Sequence, residues 1–161
     1  MMHLRAISGP FNGLDKKLAF ITSCYLKSLT DPRVRTFAEQ AGGAGSRAQQ
    51  ARGLFNTVRN TVKYMRDPVG VEMTKTPSVM LDEIAARGHT MGDCDDQACF
   101  MLTLLKSIGI PAKARVTWYG KQPMPQHIYT VAFLDGKWTP LDTTRAQGFG
   151  EEVPYARKQD F

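Results

Sequence analysis

Cys94 stands in the run Gly92-Asp93-Cys94-Asp95-Asp96-Gln97-Ala98, where the chain passes into an apolar stretch of helical spacing. A cysteine at that point opens a helix. Unpaired backbone N–H groups and the positive end of the helix dipole lie beside it, and both favour thiolate over thiol. The same N–H groups can hold a developing oxyanion. Asp93, Asp95 and Asp96 act in the opposite sense, because nearby negative charge disfavours a thiolate. Asp93 also suits a helix cap. A nucleophile in this setting needs a histidine to supply much of its activation.

Asp135-Gly136 supplies that histidine through a hairpin. Asp-Gly between two runs of alternating apolar residues is a two-residue turn signal. Leu134 then pairs with Lys137, Phe133 with Trp138, Val131 with Pro140, Tyr129 with Asp142 and His127 with Thr144. His127 and Asp142 fall on one face, a diagonal step of roughly 7–8 Å apart. An imidazole and a carboxylate bridge that gap. Asp142 orients one ring nitrogen and leaves the other to take the Cys94 proton. A one-residue bulge would put the two on opposite faces and break the arrangement.

The elements that must position these residues are read from periodicity. Leu14–Leu29 has apolar residues three or four apart and predicts a helix. Asp31-Pro32 starts a second helix, which the cluster Gly42-Gly43-Ala44-Gly45 ends. Ser46 caps a third, expected to run to about Met65. Residues 68–92 read as irregular, with one short helix near Ser78–Ala86. The helix from Cys94 runs to Ser107, and Gly109 and Pro111 stop it. The period then changes to two, and Ala112–Tyr119, His127–Leu134 and Lys137–Leu141 read as strands. The tail after Arg145 has no clear period. Helices first and antiparallel strands after predict an α+β fold, with the catalytic helix packed on a C-terminal antiparallel sheet. The expected organisation is a helical extension over residues 1–45, a core over 46–145 and a tail over 146–161, all in one domain.

The run from Gly92 through Leu104-Leu105-Lys106-Ser107-Ile108-Gly109-Ile110-Pro111-Ala112-Lys113-Ala114-Arg115-Val116 resembles the core motif of transglutaminase-like proteins, which share the papain-like cysteine-protease fold. The order of Cys94, His127-Ile128-Tyr129-Thr130-Val131 and Trp138-Thr139-Pro140-Leu141-Asp142 matches as well. Val62–Asp67 and Thr76–Leu81 are similar to segments that precede the motif. The resemblance covers about residues 50–145. It implies acyl transfer through a thioester on Cys94, with His127 and Asp142 as its partners. It also implies an oxyanion held by the cysteine N–H and an upstream aromatic, for which Tyr64 is the nearest match. Family members include proteases, amidases, cross-linking enzymes and inactive copies, and compact versions occur in bacteria and phages. Hydrolysis of a peptide or amide bond is the expected reaction, because a small domain gives little surface to exclude water and bind an amine. Protein cross-linking and an inactive assembly module, a phage component for example, are the alternatives.

The remaining residues narrow the class. The three cysteines, Cys24, Cys94 and Cys99, form neither a disulfide framework nor the paired spacing of a zinc site. Cys24 lies on an apolar helical face, and Cys99 is five positions from Cys94, off its helical face. His89 falls in a surface loop, and Trp118 and Trp138 read as packing. Asp93–Asp96 lacks the glycine and distal glutamate of a calcium loop. No metal or other cofactor is expected. Residues 1–75 hold 12 Lys/Arg against 5 Asp/Glu, and the rest 9 against 10. The basic residues are spread out and not interleaved with aromatics, so they read as a solvated face, and nucleic acid is not the expected partner. The expected partner is a protein or peptide substrate. No stretch approaches the roughly 18 apolar residues of a membrane span, and no signal-peptide pattern opens the chain. A cytoplasmic location is expected, with virion association left open.

Overall fold

One helix lies at the centre of the molecule. In α5 (Cys94–Ser107) every side chain from Ala98 to Leu105 except Thr103 is apolar, and every residue from Asp95 to Leu105 is buried. A helix without a polar face has to be wrapped on all sides. In this computed structural model, which describes residues 5–8 and 14–161, helices cover one side of α5 and a sheet the other.

The helical side comprises α1 (Leu14–Leu29), α2 (Pro32–Gly42), α3 (Arg47–Thr61) and α4 (Pro77–Arg87). Their starts follow the expected chemistry. Asp31 accepts from the Arg33 N–H at 3.0 Å, with Pro32 in the first turn. Ser46 and Gln49 form a reciprocal capping box. Thr76 caps α4 ahead of Pro77. The third helix departs from expectation by ending at Thr61. Val62–Tyr64 instead forms β2, parallel to β4 (Thr90–Gly92). Val62 is β-branched and buried at either period, so the local pattern does not separate a last helical turn from a short strand. The stretch expected to be irregular holds β4 and also β3 (Val71–Thr74), which pairs antiparallel with β1 (Arg5–Ser8). Strands of three or four residues are too short to show a period.

The other side is an antiparallel sheet in the order β7-β6-β5-β8, made of β5 (Ala112–Trp118), β6 (His127–Leu134), β7 (Lys137–Leu141) and β8 (Arg157–Asp160). Asp135 has φ 50° and Gly136 φ 81°, so both turn residues sit in the left-handed region that a tight hairpin demands. The register runs Leu134 with Lys137, Phe133 with Trp138 and Val131 with Pro140, without a bulge. Ala132, Leu134 and Leu141 face α5 and join the core of Leu54, Phe55, Phe100, Met101 and Leu105.

β8 comes from the segment whose sequence shows no period. Its residues, Arg-Lys-Gln-Asp, are polar, and it is held by charge rather than by an apolar face. The buried Arg115 donates to both Asp160 oxygens at 2.7 and 2.9 Å and to Glu152 at 3.1 and 3.2 Å. Glu152 also accepts from the Tyr129 hydroxyl. Ahead of β8, Phe149 packs edge-on against Phe55, 5.8 Å between ring centres. The fold is α+β, with the helices segregated from the antiparallel sheet.

Candidate active site

Cys94 is the first residue of α5, and the turn before it is built from carboxylates. Asp93 caps the helix, its Oδ1 accepting from the N–H groups of Asp95 at 3.0 Å and Asp96 at 3.2 Å. Asp96 reaches back to the Asp93 N–H at 3.2 Å and takes the Lys75 N–H at 2.8 Å. Gly92 permits this closeness: a Cβ there would lie 2.7 Å from Asp96 Cβ. The cap consumes two of the helix's unpaired N–H groups and leaves that of Cys94 itself untaken by it.

The surroundings hold the Cys94 sulfur as a thiol. Burial pushes its pKa up, and the Asp95 and Asp93 carboxylates push the same way, while Lys17 and the Ile128 backbone N–H oppose them. The thiol donates to Asp95 Oδ1 at 3.8 Å. Burial and the Asp95 and Asp67 carboxylates also raise Asp93 to about 7. Asp96 is pushed up to about 8 by its burial and by Asp93. The expected acidic influence is present and burial adds to it, while Lys17 and the Ile128 N–H act on the other side.

His127 opens β6, and Asp142 follows the last residue of β7. Nε2 of His127 lies 2.7 Å from Asp142 Oδ2, with side-chain exposures of 6 % and 2 %. Asp142 Oδ1 accepts from the Thr144 N–H at 3.0 Å and the Thr144 hydroxyl at 2.7 Å. Burial raises the Asp142 pKa, yet the His127 and Thr144 hydrogen bonds outweigh it, and the net shift is downward. The Tyr129 ring packs against the imidazole, 5.4 Å between centres. With Nε2 committed to Asp142, Nδ1 is the atom left for a second partner.

Cys94 and His127 line one small cleft of about 40 Å³ with Lys17, Asp95, Gln126 and Ile128. The hydrogen-bond partner of the thiol is Asp95, not the imidazole. Tyr64 is placed differently from Cys94, His127 and Asp142. It lies on β2 beside Gly92, but its side chain is 52 % exposed and is not among the cleft walls. His89 is a half-buried loop residue that touches Arg87, while Cys24, Cys99 and Trp118 are core. Among the described residues no group of three or more His, Cys, Asp or Glu could hold a metal ion.

Two residues of the site carry no motif signal. Gln97, fully buried one turn into α5, donates to the Gly92 carbonyl at 3.3 Å and accepts from the Thr143 hydroxyl at 2.8 Å. It ties the turn before Cys94 to the residue after Asp142. Lys17 reaches Asp95 Oδ2 from α1 at 2.8 Å. The partners of Gln97 are brought to it only by the fold. Lys17, 77 residues upstream of Cys94, has no sequence cue either.

A cysteine opening a central helix, with a histidine–carboxylate pair on the antiparallel sheet beside it, defines a papain-like α+β class. Residues 35–143, more than half of the chain, match the transglutaminase-like superfamily, and the chain belongs to that family. Membership supports a cysteine-dependent catalytic function. Among solved structures, a candidate protease from Parabacteroides distasonis superposes with a TM-score of 0.59 at 18 % identity, over 82 % of this chain and 26 % of its own. A candidate cysteine protease from Cytophaga hutchinsonii gives 0.57 at 16 % identity, over 97 % of this chain and 54 % of its own. The chain therefore spans about a quarter and about half of those two, and at these identities the likeness is one of fold. No curated protein matches the chain significantly by sequence. Among the described residues no helix is long and apolar enough to cross a membrane.

Proposed function

We propose that this chain catalyses acyl transfer through a thioester on Cys94, with water as acceptor, so that a peptide or amide bond is hydrolysed. The observation that carries the reading is a cysteine at a helix N-terminus sharing one cleft with His127, whose imidazole is paired from behind with the buried Asp142. As a carbonyl enters, His127 Nδ1 takes the Sγ proton and sulfur attacks the carbonyl carbon. The oxyanion meets the Cys94 N–H, the terminal donor that the cap leaves untaken. Tyr64 supplies a second donor only by turning inward from its exposed position.

The imidazolium, stabilised by Asp142, then gives its proton to the departing amine, and the acyl group stays on sulfur. Water attacks the thioester, with His127 again accepting the proton. The carbon–sulfur bond breaks, the imidazolium returns its proton to Sγ, and a carboxylic acid leaves. Favouring an amine over water needs a surface that binds the amine and excludes water, and a small domain offers little of it.

The acceptor is tested by running the reaction on peptide mixtures in ¹⁸O-water with an excess of labelled primary amine. Hydrolysis places ¹⁸O in new carboxyl groups and requires Cys94. Dominant incorporation of the amine would replace hydrolysis with cross-linking. Turnover unchanged in Cys94→Ala would remove the cysteine chemistry altogether.

A further inference from the structure

α1 lies outside the residues that match the family, yet it packs along α5 and forms part of the candidate site. Leu18, Ile21 and Cys24 are buried with Ala98 and Cys99 of α5. The Cys99 thiol reaches the Ile21 carbonyl at 3.8 Å. One turn before Ile21, α1 carries Lys17 into the cleft that holds Cys94 and His127. Its Nζ lies 2.8 Å from Asp95 Oδ2, while Asp95 Oδ1 is the atom that holds the Cys94 thiol hydrogen. One carboxylate therefore joins an ammonium from α1 to the sulfur.

We propose that Lys17 is a positioning residue of the cysteine site: by binding Asp95 it offsets the carboxylate's grip on the thiol and lets Cys94 release its proton to His127. This rests on reading Cys94 as the nucleophile. The charged and titratable groups around the sulfur are Asp93 and Asp95 on α5, Lys17 on α1 and His127 on β6. Lys17 brings an ammonium group among them. Without it, ionising the thiol would place a third negative charge beside two carboxylates. With it, part of that charge is already balanced. A helix from outside the residues that match the family thereby sets how readily the nucleophile forms.

The test is site-resolved alkylation by iodoacetamide across pH, followed by mass spectrometry. Lys17→Met keeps the alkyl stem and removes the charge. The Cys94 midpoint should rise by about one pH unit, or about tenfold less thiolate at a given pH below it. Lys17→Arg should restore the parent profile, and Asp95→Asn combined with Lys17→Met should return most of the shift. Cys24 and Cys99, buried between α1 and α5, should stay protected throughout. An unchanged Cys94 midpoint in Lys17→Met overturns the proposal. So does labelling of Cys24 and Cys99 together with Cys94, because Lys17 would then be only an anchor for α1. His127→Ala in the chain with Lys17 intact separates the two levels. If its Cys94 profile equals the parent's, the cysteine–histidine reading fails whatever Lys17 does.

Discussion

Asp142 Oδ2 sits 2.7 Å from His127 Nε2, and Thr144 holds the other carboxylate oxygen through both its N–H and its hydroxyl. The carboxylate is thus fixed on both sides, and the imidazole has one orientation. Asp142→Asn keeps the shape but presents an amide to Nε2 with the wrong donor–acceptor pattern. Turnover should fall by about 10²–10⁴-fold. Thermal unfolding should move little by comparison. Equal turnover in this variant would mean that His127 needs no orienting partner.

Gln97 predicts a different split between activity and stability. Gln97→Leu leaves the Gly92 carbonyl and the Thr143 hydroxyl without the partners they have in α5. The expected cost is about 1–3 kcal/mol by urea titration. Turnover at a temperature where the variant is fully folded should also drop, since the link sets the Cys94 turn against the Asp142 segment. Loss of stability alone would assign Gln97 to packing.

The acidic cap makes stability depend on pH. Asp93 and Asp96, raised to about 7 and about 8, bind protons in the folded chain at pH values where the unfolded chain has released them. Their contribution is full below about pH 4 and declines as pH rises toward 8. Asp142, whose pKa is lowered, acts in the opposite sense and loses its contribution as pH falls through its folded value. Asp93→Asn retains an oxygen for the Asp95 and Asp96 N–H groups and removes one of the crowded charges. Its urea midpoint should fall less between pH 4 and pH 8 than the parent's. A parallel decline in the two proteins would contradict this origin.

The C-terminal strand depends on one cation. Arg115→Met fills similar space but takes the guanidinium from Asp160 and Glu152, leaving Asp160 with Lys158 at 3.8 Å and Glu152 with the Tyr129 hydroxyl. Both carboxylates reach water in part, so the cost should be about 2 kcal/mol, between the exposed and buried limits. Hydrogen exchange should speed up in Arg157–Asp160 ahead of the rest of the sheet. Unaltered exchange there would show that β8 is held by its backbone alone.

The sheet and the His127–Asp142 contact were legible because they follow a period of two and a two-residue turn. Asp135-Gly136 determines the register, and the register alone puts His127 and Asp142 on one face. Helix α5 was equally legible from Asp93 at one end and Gly109 at the other. β2, β3 and β4 were not, since three or four residues carry no period. β8 escaped because an ion pair to Arg115 holds it, and a pairing 45 residues away has no local signature. Lys17 and Gln97 escaped for the same reason, as their partners are brought near only by the packing of α1 and of the Asp142 segment on α5. Tyr64 shows the limit in the other direction, because proximity in β2 to Gly92 left its side chain in solvent.

Exposure to p-nitrophenyl acetate, read by the p-nitrophenolate burst and by intact mass, tests the thioester on Cys94 most directly. One acetyl group per chain should appear with the burst, map to Cys94 and clear through hydrolysis. It should be absent in Cys94→Ala and at least about 10²-fold slower to form in His127→Ala. Acetyl groups spread over lysines, Cys24 or Cys99, or formed on Cys94 at a rate indifferent to His127, would contradict the account.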